Sequence, residues 1–346
     1  MSLAIGITGL AQAGKSTLFS ALTALGSEEQ HKKGGGAPRA RAAVPDLRVA
    51  ALSAIFKPKK TTPTQIDFID MPGGSSGGLG AQALGELRTS TALVEVVRCF
   101  DHPYLGAAKP TRDMEDFEME LMLADLKIVE GKLERKKKLL PGEQEVLEKL
   151  QGPLADGRAA DLPSLDEEEK KLLSGLGLLS LKPRIFAANL SEDQLQSPDD
   201  KVTAVHDFAR SRNSQSLAAC ALLEAEISQL PEEERAEFME SLGIEETGLS
   251  QMVRAGYQQL GLMTFFTVGE DEVRAWTTDI GATAPQAAGE IHSDLQRGFI
   301  RAEVIHYDTF MECGSLNEAK NQGKLRVEGK EYIVVDGDIL NIRFNV

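Results

Sequence analysis

The stretch Gly9-Leu10-Ala11-Gln12-Ala13-Gly14-Lys15-Ser16-Thr17 follows a short apolar run at residues 3–7 and decides the fold of this chain. Its spacing, G-x-x-x-x-G-K-S, predicts a loop whose backbone N–H groups turn toward a polyphosphate. Lys15 would reach the β- and γ-phosphate oxygens, and the Ser16 hydroxyl would ligate Mg²⁺. The apolar spacing of residues 16–25 predicts a helix whose positive end faces the phosphates. A glycine-rich connection without a ligand is the alternative.

Asp70-Met71-Pro72-Gly73 closes a predicted strand at residues 65–70 and supplies the second part of such a site. A phosphate loop needs a carboxylate at the end of a neighbouring strand to hold the Mg²⁺ shell, and Asp70 has that place. The backbone N–H of Gly73 would lie beside a γ-phosphate, as in D-x-x-G switches. Lys15 and Gly73 are therefore the candidate catalytic residues. The D-x-x-G pattern is weak alone and gains weight from the upstream Gly-Lys-Ser.

Asn189-Leu190-Ser191-Glu192 follows another predicted strand and is the candidate for base recognition. GTPases of this class carry Asn-Lys-x-Asp there, and the Asp accepts hydrogen bonds from guanine. Glu192 stands in place of that Asp and Leu190 in place of the Lys, so guanine selection loses its defining contact. A strand that ends in a polar turn, with no role in binding, explains the spacing equally well.

The composition limits the possible classes of protein. The chain has 346 residues, 42% hydrophobic residues, three cysteines and a net charge of −15. This length predicts two or three domains, and three separated cysteines argue against a disulfide framework. The negative charge opposes non-specific binding to nucleic acid, and we expect neither membrane association nor sequence-specific DNA binding. With no secretory signal and no apolar stretch long enough to cross a bilayer, a cytoplasmic protein is expected.

The sequence pattern changes along the chain and suggests where domains begin and end. Residues 1–112 alternate strands with helices, as in a parallel sheet with crossover helices, and the sheet resumes over 181–260. Residues 113–180 are charged and helix-forming and predict a helical hairpin. Residues 261–346 predict a small mixed β-sheet domain. The run Arg135-Lys136-Lys137-Lys138 is typical of a solvated helix face, with RNA or ribosome contact as the alternative.

The chain resembles the YchF/Obg-like ATPase family of translation-factor-related P-loop NTPases over nearly its whole length. The resemblance begins with the Gly-Lys-Ser loop and is tightest in the C-terminal third. Its long matching runs are highly specific, and they comprise residues 9–17, 57–60, 68–70, 97–101, 189–192, 265–269, 272–277, 281–289, 297–302 and 336–338.

The resemblance implies an α/β fold in three parts. These are a Ras-like P-loop NTPase domain (1–112 and 181–260), an inserted helical coiled-coil hairpin (113–180) and a C-terminal β-grasp TGS domain (261–346). Family members bind ATP at least as well as GTP, which suits Asn189 and Leu190 as adenine contacts. The family is linked to ribosomes, and its TGS and helical domains frame a groove proposed for RNA or ribosome contact. The implied nucleotide-binding residues are Gln12, Ala13, Gly14, Lys15, Ser16, Thr17, Asn189, Leu190 and Glu192, with Ser16 and Asp70 as Mg²⁺ ligands.

The chain departs from the family around the phosphates. Gln12 replaces an Asn, residues 33–36 stand where a switch Thr closes over Mg²⁺, and the glycine-rich loop after Gly73 is shortened. Glu86 falls where some members have a His implicated in hydrolysis. Nucleotide binding survives these changes better than hydrolysis. We therefore expect an ATP-preferring, Mg²⁺-dependent NTPase with slow hydrolysis that serves as a ribosome- or RNA-associated switch. A hydrolysis-deficient binding or scaffold protein working through its TGS domain is the alternative.

Overall fold

The structure is a computed structural model of the 346-residue chain. It describes residues 3–24, 29–30, 37–71, 79–135 and 139–345. The chain divides into two compact units, which consist of residues 1–42 with 66–256 and of residues 43–65 with 257–346. Within the described residues, no helix combines the length and apolarity that crossing a bilayer requires.

The strands of the described residues are β1 (Ala4–Thr8), β2 (Glu29–Gln30), β3 (Arg39–Ala43), β4 (Lys60–Thr62), β5 (Gln65–Asp70), β6 (Ala92–Arg98), β7 (Arg184–Asn189), β8 (Gln215–Ala219), β9 (Leu262–Thr267), β10 (Glu272–Asp279), β11 (Phe299–His306), β12 (Arg326–Glu328) and β13 (Asp338–Phe344). The α-helices are α1 (Lys15–Ala24), α2 (Leu47–Phe56), α3 (Ala81–Thr89), α4 (Pro110–Leu133), α5 (Glu143–Ala155), α6 (Glu167–Leu173), α7 (Glu192–Gln196), α8 (Asp200–Ser211), α9 (Ala221–Gln229), α10 (Glu232–Ser241), α11 (Gly248–Gln259), α12 (Ala284–Ile291), α13 (Ser293–Arg297), α14 (Tyr307–Cys313) and α15 (Leu316–Asn321). The described residues also contain two short 3₁₀ helices, at Ala159–Asp161 and Ser174–Leu176.

The first unit is built on a seven-stranded sheet with the order β2-β3-β5-β1-β6-β7-β8. The five strands from β5 to β8 in this order run parallel, as the sequence pattern predicts. Ile5 and Gly6 are neighbours on β1 and therefore point to opposite faces of the sheet. The Ile5 side chain lies against Gly256 of α11, and Gly6 lies against Leu87 of α3. Helices therefore cover both faces, and the central strands are buried.

The predicted helical hairpin corresponds to α4 and α5, which share a cluster of buried leucines, valines and a methionine. Asp125 on α4 is fully buried and accepts hydrogen bonds of 2.7 Å from Arg88 and from the Ser180 hydroxyl. Gly152-Pro153 is a residue pair typical of turns, but it lies inside α5. Pro153 stands two residues before the end of that helix, so the hydrogen bond that its missing N–H removes belongs to the last turn. Of the basic run, Lys136, Lys137 and Lys138 lie outside the described residues.

The second unit contains a six-stranded mixed sheet with the order β12-β11-β13-β9-β10-β4. Apolar clusters lie on both of its faces, since Ile339 and Leu340 are neighbours on β13 and belong to different clusters. The sequence predicts a last strand with one buried and one wet face. The structure differs, because Ile339 is buried and Phe344 is half exposed. The residues just before Asp336 form an irregular segment with a single bridge, between Ile333 and Thr283.

Residues 43–65 belong to the second unit, although the boundaries drawn from the sequence place them in the first domain. Strand β4 adds to the second sheet by parallel pairing with β10. Helix α2 packs on the same sheet, where the ring of Phe56 stacks on Phe310 at 5.4 Å. Arg48 donates a hydrogen bond of 2.7 Å to Asp336. The predicted first domain, residues 1–112, therefore includes a segment that belongs to the second unit. The local sequence does not indicate this, because the pairing partners of the segment lie more than two hundred residues away.

Candidate phosphate-binding site

The loop between β1 and α1 depends on the glycines of its motif. Gly9 and Gly14 have φ angles of +126° and +98°, a region that favours glycine. A Cβ atom on Gly9 would overlap the carbonyl oxygen of Val96, and one on Gly14 would overlap the side-chain amide of Asn189. At Gly9 and Gly14 the backbone therefore runs closer to its neighbours than a residue with a side chain allows.

Helix α1 starts at Lys15, directly at the end of this loop, as predicted. The N–H of Leu18 donates a hydrogen bond of 3.0 Å to the carbonyl of Gly14, the residue just before α1. The preceding N–H groups are the unsatisfied donors of the helix N-terminus, where the helix dipole favours an anion. Ser16 and Gln12 are exposed, Thr17 is half-buried and Ala13 is buried beneath them. The arrangement presents backbone donors and a hydroxyl to an incoming phosphate.

Lys15 is 5% exposed and donates a hydrogen bond of 2.6 Å to the carbonyl oxygen of Leu10. Burial lowers the pKa of its ammonium group, and the nearby charge of Asp70 opposes that effect. The ammonium group is thus held within the loop itself. A phosphate oxygen that replaced the Leu10 carbonyl as hydrogen-bond acceptor would give the buried ammonium group an anionic partner and so stabilise its charge.

Asp70 lies at the end of β5, next to β1, and its carboxylate is hydrogen-bonded to Ser16. Burial raises the pKa of Asp70, while the Ser16 hydrogen bond and the Lys15 charge lower it. Its Oδ1 atom is buried and accepts no hydrogen bond from any described residue. A hydroxyl and a carboxylate with an unused oxygen are donors that Mg²⁺ prefers, together with water and phosphate oxygens. The residues present therefore fit the Mg²⁺ ion that the motif predicts.

Asn189 lies at the end of β7 and connects two backbone segments. Its Nδ2 donates to the carbonyl of Ala13 at 2.8 Å, and its Oδ1 accepts from the N–H of Ala221 at 2.9 Å. An amide group retains one further N–H and one further lone pair after these bonds. Asn189 therefore links the phosphate loop to the start of α9. Its amide keeps one N–H and one lone pair with which a base could form hydrogen bonds.

The other two base candidates differ sharply in exposure. Leu190 is 3% exposed, and its side chain belongs to an apolar cluster with Phe186 and Val202. It offers little surface to a base in this structure. Glu192 is the first residue of α7, and its carboxylate is exposed. Gly73, the candidate sensor of a γ-phosphate, lies outside the described residues.

Two features of this region are absent from the sequence-based site. The first is the N–H of Ala221, which donates to the Asn189 side chain. In the sequence, this donor is indicated only by a strand that is followed directly by a helix within residues 215–229. The second is Glu95, which is buried in β6. It lies opposite Thr8, the last residue of β1 before the loop. An acid in the middle of a parallel strand whose other residues from Ala92 to Val97 are all apolar could have drawn attention to it.

A comparison with family models matches residues 262–345 to YchF-GTPase_C, which is described as a protein of unknown function (DUF933). The chain is 41% identical over 370 residues to the ribosome-binding ATPase YchF of Bacillus subtilis, with 100% of both chains covered. It is 41% identical over 369 residues to the ribosome-binding ATPase YchF of Escherichia coli O157:H7, again with 100% of both covered.

Among solved structures, the chain is similar to the YchF GTPase of Schizosaccharomyces pombe, with a TM-score of 0.87 and 31% identity. The match covers 99% of this chain and 98% of that chain. It confirms the predicted fold class, a P-loop NTPase fold followed by a C-terminal domain. Because relatives of this family match the chain at 41% identity over its full length, the chain belongs to the YchF family of P-loop NTPases.

Proposed function

We propose that this protein is a Mg²⁺-dependent NTPase that prefers ATP over GTP, hydrolyses it slowly and acts as a ribosome-associated switch. The observation that carries the proposal is the meeting of Lys15, Ser16 and Asp70 at the N-terminus of α1. Two relatives named ribosome-binding ATPase cover the whole chain, and they support the choice of partner and nucleotide.

Each residue of the site would have a separate role in nucleotide binding. The backbone N–H groups at the start of α1 would hold the β-phosphate, and Lys15 would leave the Leu10 carbonyl to pair with the phosphate oxygens. Ser16 and Asp70 would hold Mg²⁺, the latter through its water shell. When bound, the ion neutralises charge that develops on the phosphates. Asn189 keeps the loop in register with α9 and has one donor and one acceptor left for adenine.

The preference for ATP and the slow hydrolysis rest on sequence features of the site. Glu192 replaces the Asp with which related GTPases select guanine, and this favours ATP. Gly74 follows Gly73, so the chain has no glutamine there to orient an attacking water. The phosphates would therefore be bound firmly and cleaved slowly.

Calorimetry with ATP and GTP, in Mg²⁺ and in EDTA, tests the binding claim. We expect tighter binding of ATP, a requirement for Mg²⁺, and loss of binding in Lys15→Ala but not in the exposed-surface control Lys330→Ala. Steady-state hydrolysis with the same proteins tests turnover. A rate unchanged by Lys15→Ala would refute the enzyme claim and favour a scaffold role. Co-sedimentation with ribosomes, with and without a non-hydrolysable ATP analogue, tests the switch, and equal binding in both states would contradict it.

A further inference from the structure

A cavity of about 220 Å³ lies on the side of the phosphate loop that faces the end of β6 and the start of α4. At about 30 Å³ per molecule it would hold several waters, so it has room for a small organic group. Lys15, Ser16, Asp70 and Asn189 are not among its walls. The described residues that line it are Leu10, Ala11, Ala13, Glu95, Val96, Val97, Arg98, Leu105 and Asp113.

Glu95 is the most unusual of these lining residues. It is 2% exposed, and its Oε2 atom accepts no hydrogen bond from any described residue. The nearest cation, Nη1 of Arg184, lies 3.5 Å away and likewise makes no hydrogen bond. Arg184 instead donates from Nη2 to Glu118, which also pairs with Arg212 at 2.9 Å. Arg184 is thus hydrogen-bonded to Glu118 rather than to Glu95. Glu95 therefore keeps a buried oxygen that could accept a hydrogen bond from a ligand.

A second carboxyl group faces the cavity from the first turn of α4. Asp113 is half-buried, and burial raises its pKa, while Arg98 is the main group that opposes this. Arg98 also lines the cavity, but its Nη1 donates to the carbonyls of Phe100 and Gly106, at 2.8 and 3.1 Å. These bonds fix the loop that carries Leu105, an apolar wall. The cavity therefore combines two carboxyl groups with an apolar lining of fixed position.

This lining selects one class of ligand. An anion would lie beside two acidic side chains, and Arg98, the cation among the lining residues, is already bonded to the carbonyls of Phe100 and Gly106, so a buried anion is unfavourable. A metal ion is disfavoured because no described cluster of three acidic, histidine or cysteine ligands exists. A cation that carries several N–H donors on an apolar stem matches both kinds of wall.

We infer that the cavity beside the phosphate loop binds a guanidinium or primary ammonium group on a short alkyl stem, with Glu95 and Asp113 as its acceptors. The group could belong to a small molecule or to an arginine or lysine side chain of a partner protein, since the chemistry is the same.

Proton release provides a specific signature of this binding. Burial raises the pKa of Glu95 to about 8, with Arg184 lowering it and Glu118 and Asp113 raising it further. At pH 7 the carboxyl group is therefore largely protonated in the empty cavity. A bound cation favours the ionised form and lowers that pKa, so binding releases up to one proton.

The test is calorimetric titration of the full chain, without nucleotide, using n-propylguanidinium in two buffers with different ionisation enthalpies. Neutral n-propylurea is the ligand control. We expect saturable binding of the cation with net proton release, and no binding of the urea. Glu95→Gln should bind at least tenfold more weakly and without proton release. Asp116→Asn, which changes an exposed acid on α4 outside the cavity, should behave as the wild type.

Further arms distinguish the source of the cation and guard against misfolding. A peptide, acetyl-Gly-Gly-Arg-Gly-Gly-amide, that binds as well as propylguanidinium indicates a partner side chain, whereas binding of the small compound alone indicates a small molecule. Asp113→Asn, expected to weaken binding several-fold, replaces Glu95→Gln if circular dichroism shows that variant to be unfolded. Absence of cation binding, equal binding of the urea, or full affinity in both variants would overturn the inference and leave water as the occupant.

Discussion

The side-chain amide of Asn189 donates a hydrogen bond of 2.8 Å to the carbonyl oxygen of Ala13 in the phosphate loop. The two residues are 176 positions apart in the chain, and the same side chain also accepts from the N–H of Ala221. The conformation of the loop therefore depends on the end of β7. A residue with neither a donor nor an acceptor at this position leaves two buried backbone groups unpaired.

Asn189→Ala is expected to lower the free energy of unfolding by about 1–3 kcal/mol, the cost of leaving buried polar groups unsatisfied. It should also weaken nucleotide binding, because the loop loses its link to Asn189. Urea denaturation and calorimetry with ATP measure the two effects. Asn321→Ala, at an exposed position at the end of α15, is the matched control and should change neither. Unchanged stability and affinity in Asn189→Ala would show that the link is dispensable.

Asp70→Asn is expected to abolish most of the dependence of nucleotide affinity on Mg²⁺. The substitution keeps the size of the side chain but removes the charge, and the buried Oδ1 has no other partner among the described residues. Loss of an outer-shell carboxylate typically costs about 10- to 100-fold in metal affinity. Fluorescent nucleotide titrations with Mg²⁺ and with EDTA measure the effect. In the wild type, EDTA should weaken binding strongly, whereas Asp70→Asn should already be weak and respond little.

Asp116→Asn should retain the wild-type response, because that acid is exposed and its ion pair, with Arg112 at 3.5 Å, lies on the surface of α4. If Asp70→Asn kept a full Mg²⁺ response, Asp70 would not hold the ion.

Local sequence predicts the parts of this site that depend on neighbouring residues. The spacing of Gly9, Gly14 and Lys15 predicts the loop and the start of α1, because backbone strain and helix polarity are local properties. The strands that end at Asp70 and Asn189 follow from their apolar runs, and parallel strands bring their ends together. Gly73 lies outside the described residues, and its predicted role stays a prediction.

Features set by distant pairing are not visible in the sequence. Leu190 occupies the sequence position of a base contact, but its side chain is buried in an apolar cluster. Other members of that cluster come from α8 and from β6, the latter distant in sequence. The excursion of residues 43–65 into the second unit depends on partners near residues 272 and 310. The role of Glu95 depends on Arg184 in the neighbouring strand. Each of these requires the register between strands far apart in sequence.

Leu52→Ala is expected to lower the free energy of unfolding by about 2–5 kcal/mol, the usual cost of a cavity in a packed core. Leu52 on α2 is fully buried and shares a cluster with Phe266 and Phe310 of the second unit. Ile55 lies on the same helix and is 38% exposed, so Ile55→Ala should cost about 1 kcal/mol or less. Chemical denaturation of the full chain measures both. Equal, small effects would contradict the placement of α2 in the core of the second unit.

Glu95 should make the stability of the protein fall as pH rises between about 4.5 and 8. Burial raises the pKa of this carboxyl group from its ordinary value of 4.5 to about 8, so the folded state holds a proton that the unfolded state has released. The stability that comes from the protonated form is complete below pH 4.5 and is lost as pH rises through 8. Glu95→Gln removes this proton from the balance and keeps the shape of the side chain.

We therefore expect the melting temperature of Glu95→Gln to exceed that of the wild type by a margin that grows from pH 5 to pH 8.5. Thermal unfolding at several pH values, followed by circular dichroism, measures this margin. Other titrating groups contribute equally to both proteins and cancel in the difference. Glu115→Gln, at an exposed position on α4, should follow the wild-type curve. A constant margin for Glu95→Gln across this range would show that Glu95 is ionised in the folded protein, because an ionised carboxyl group exchanges no proton on unfolding.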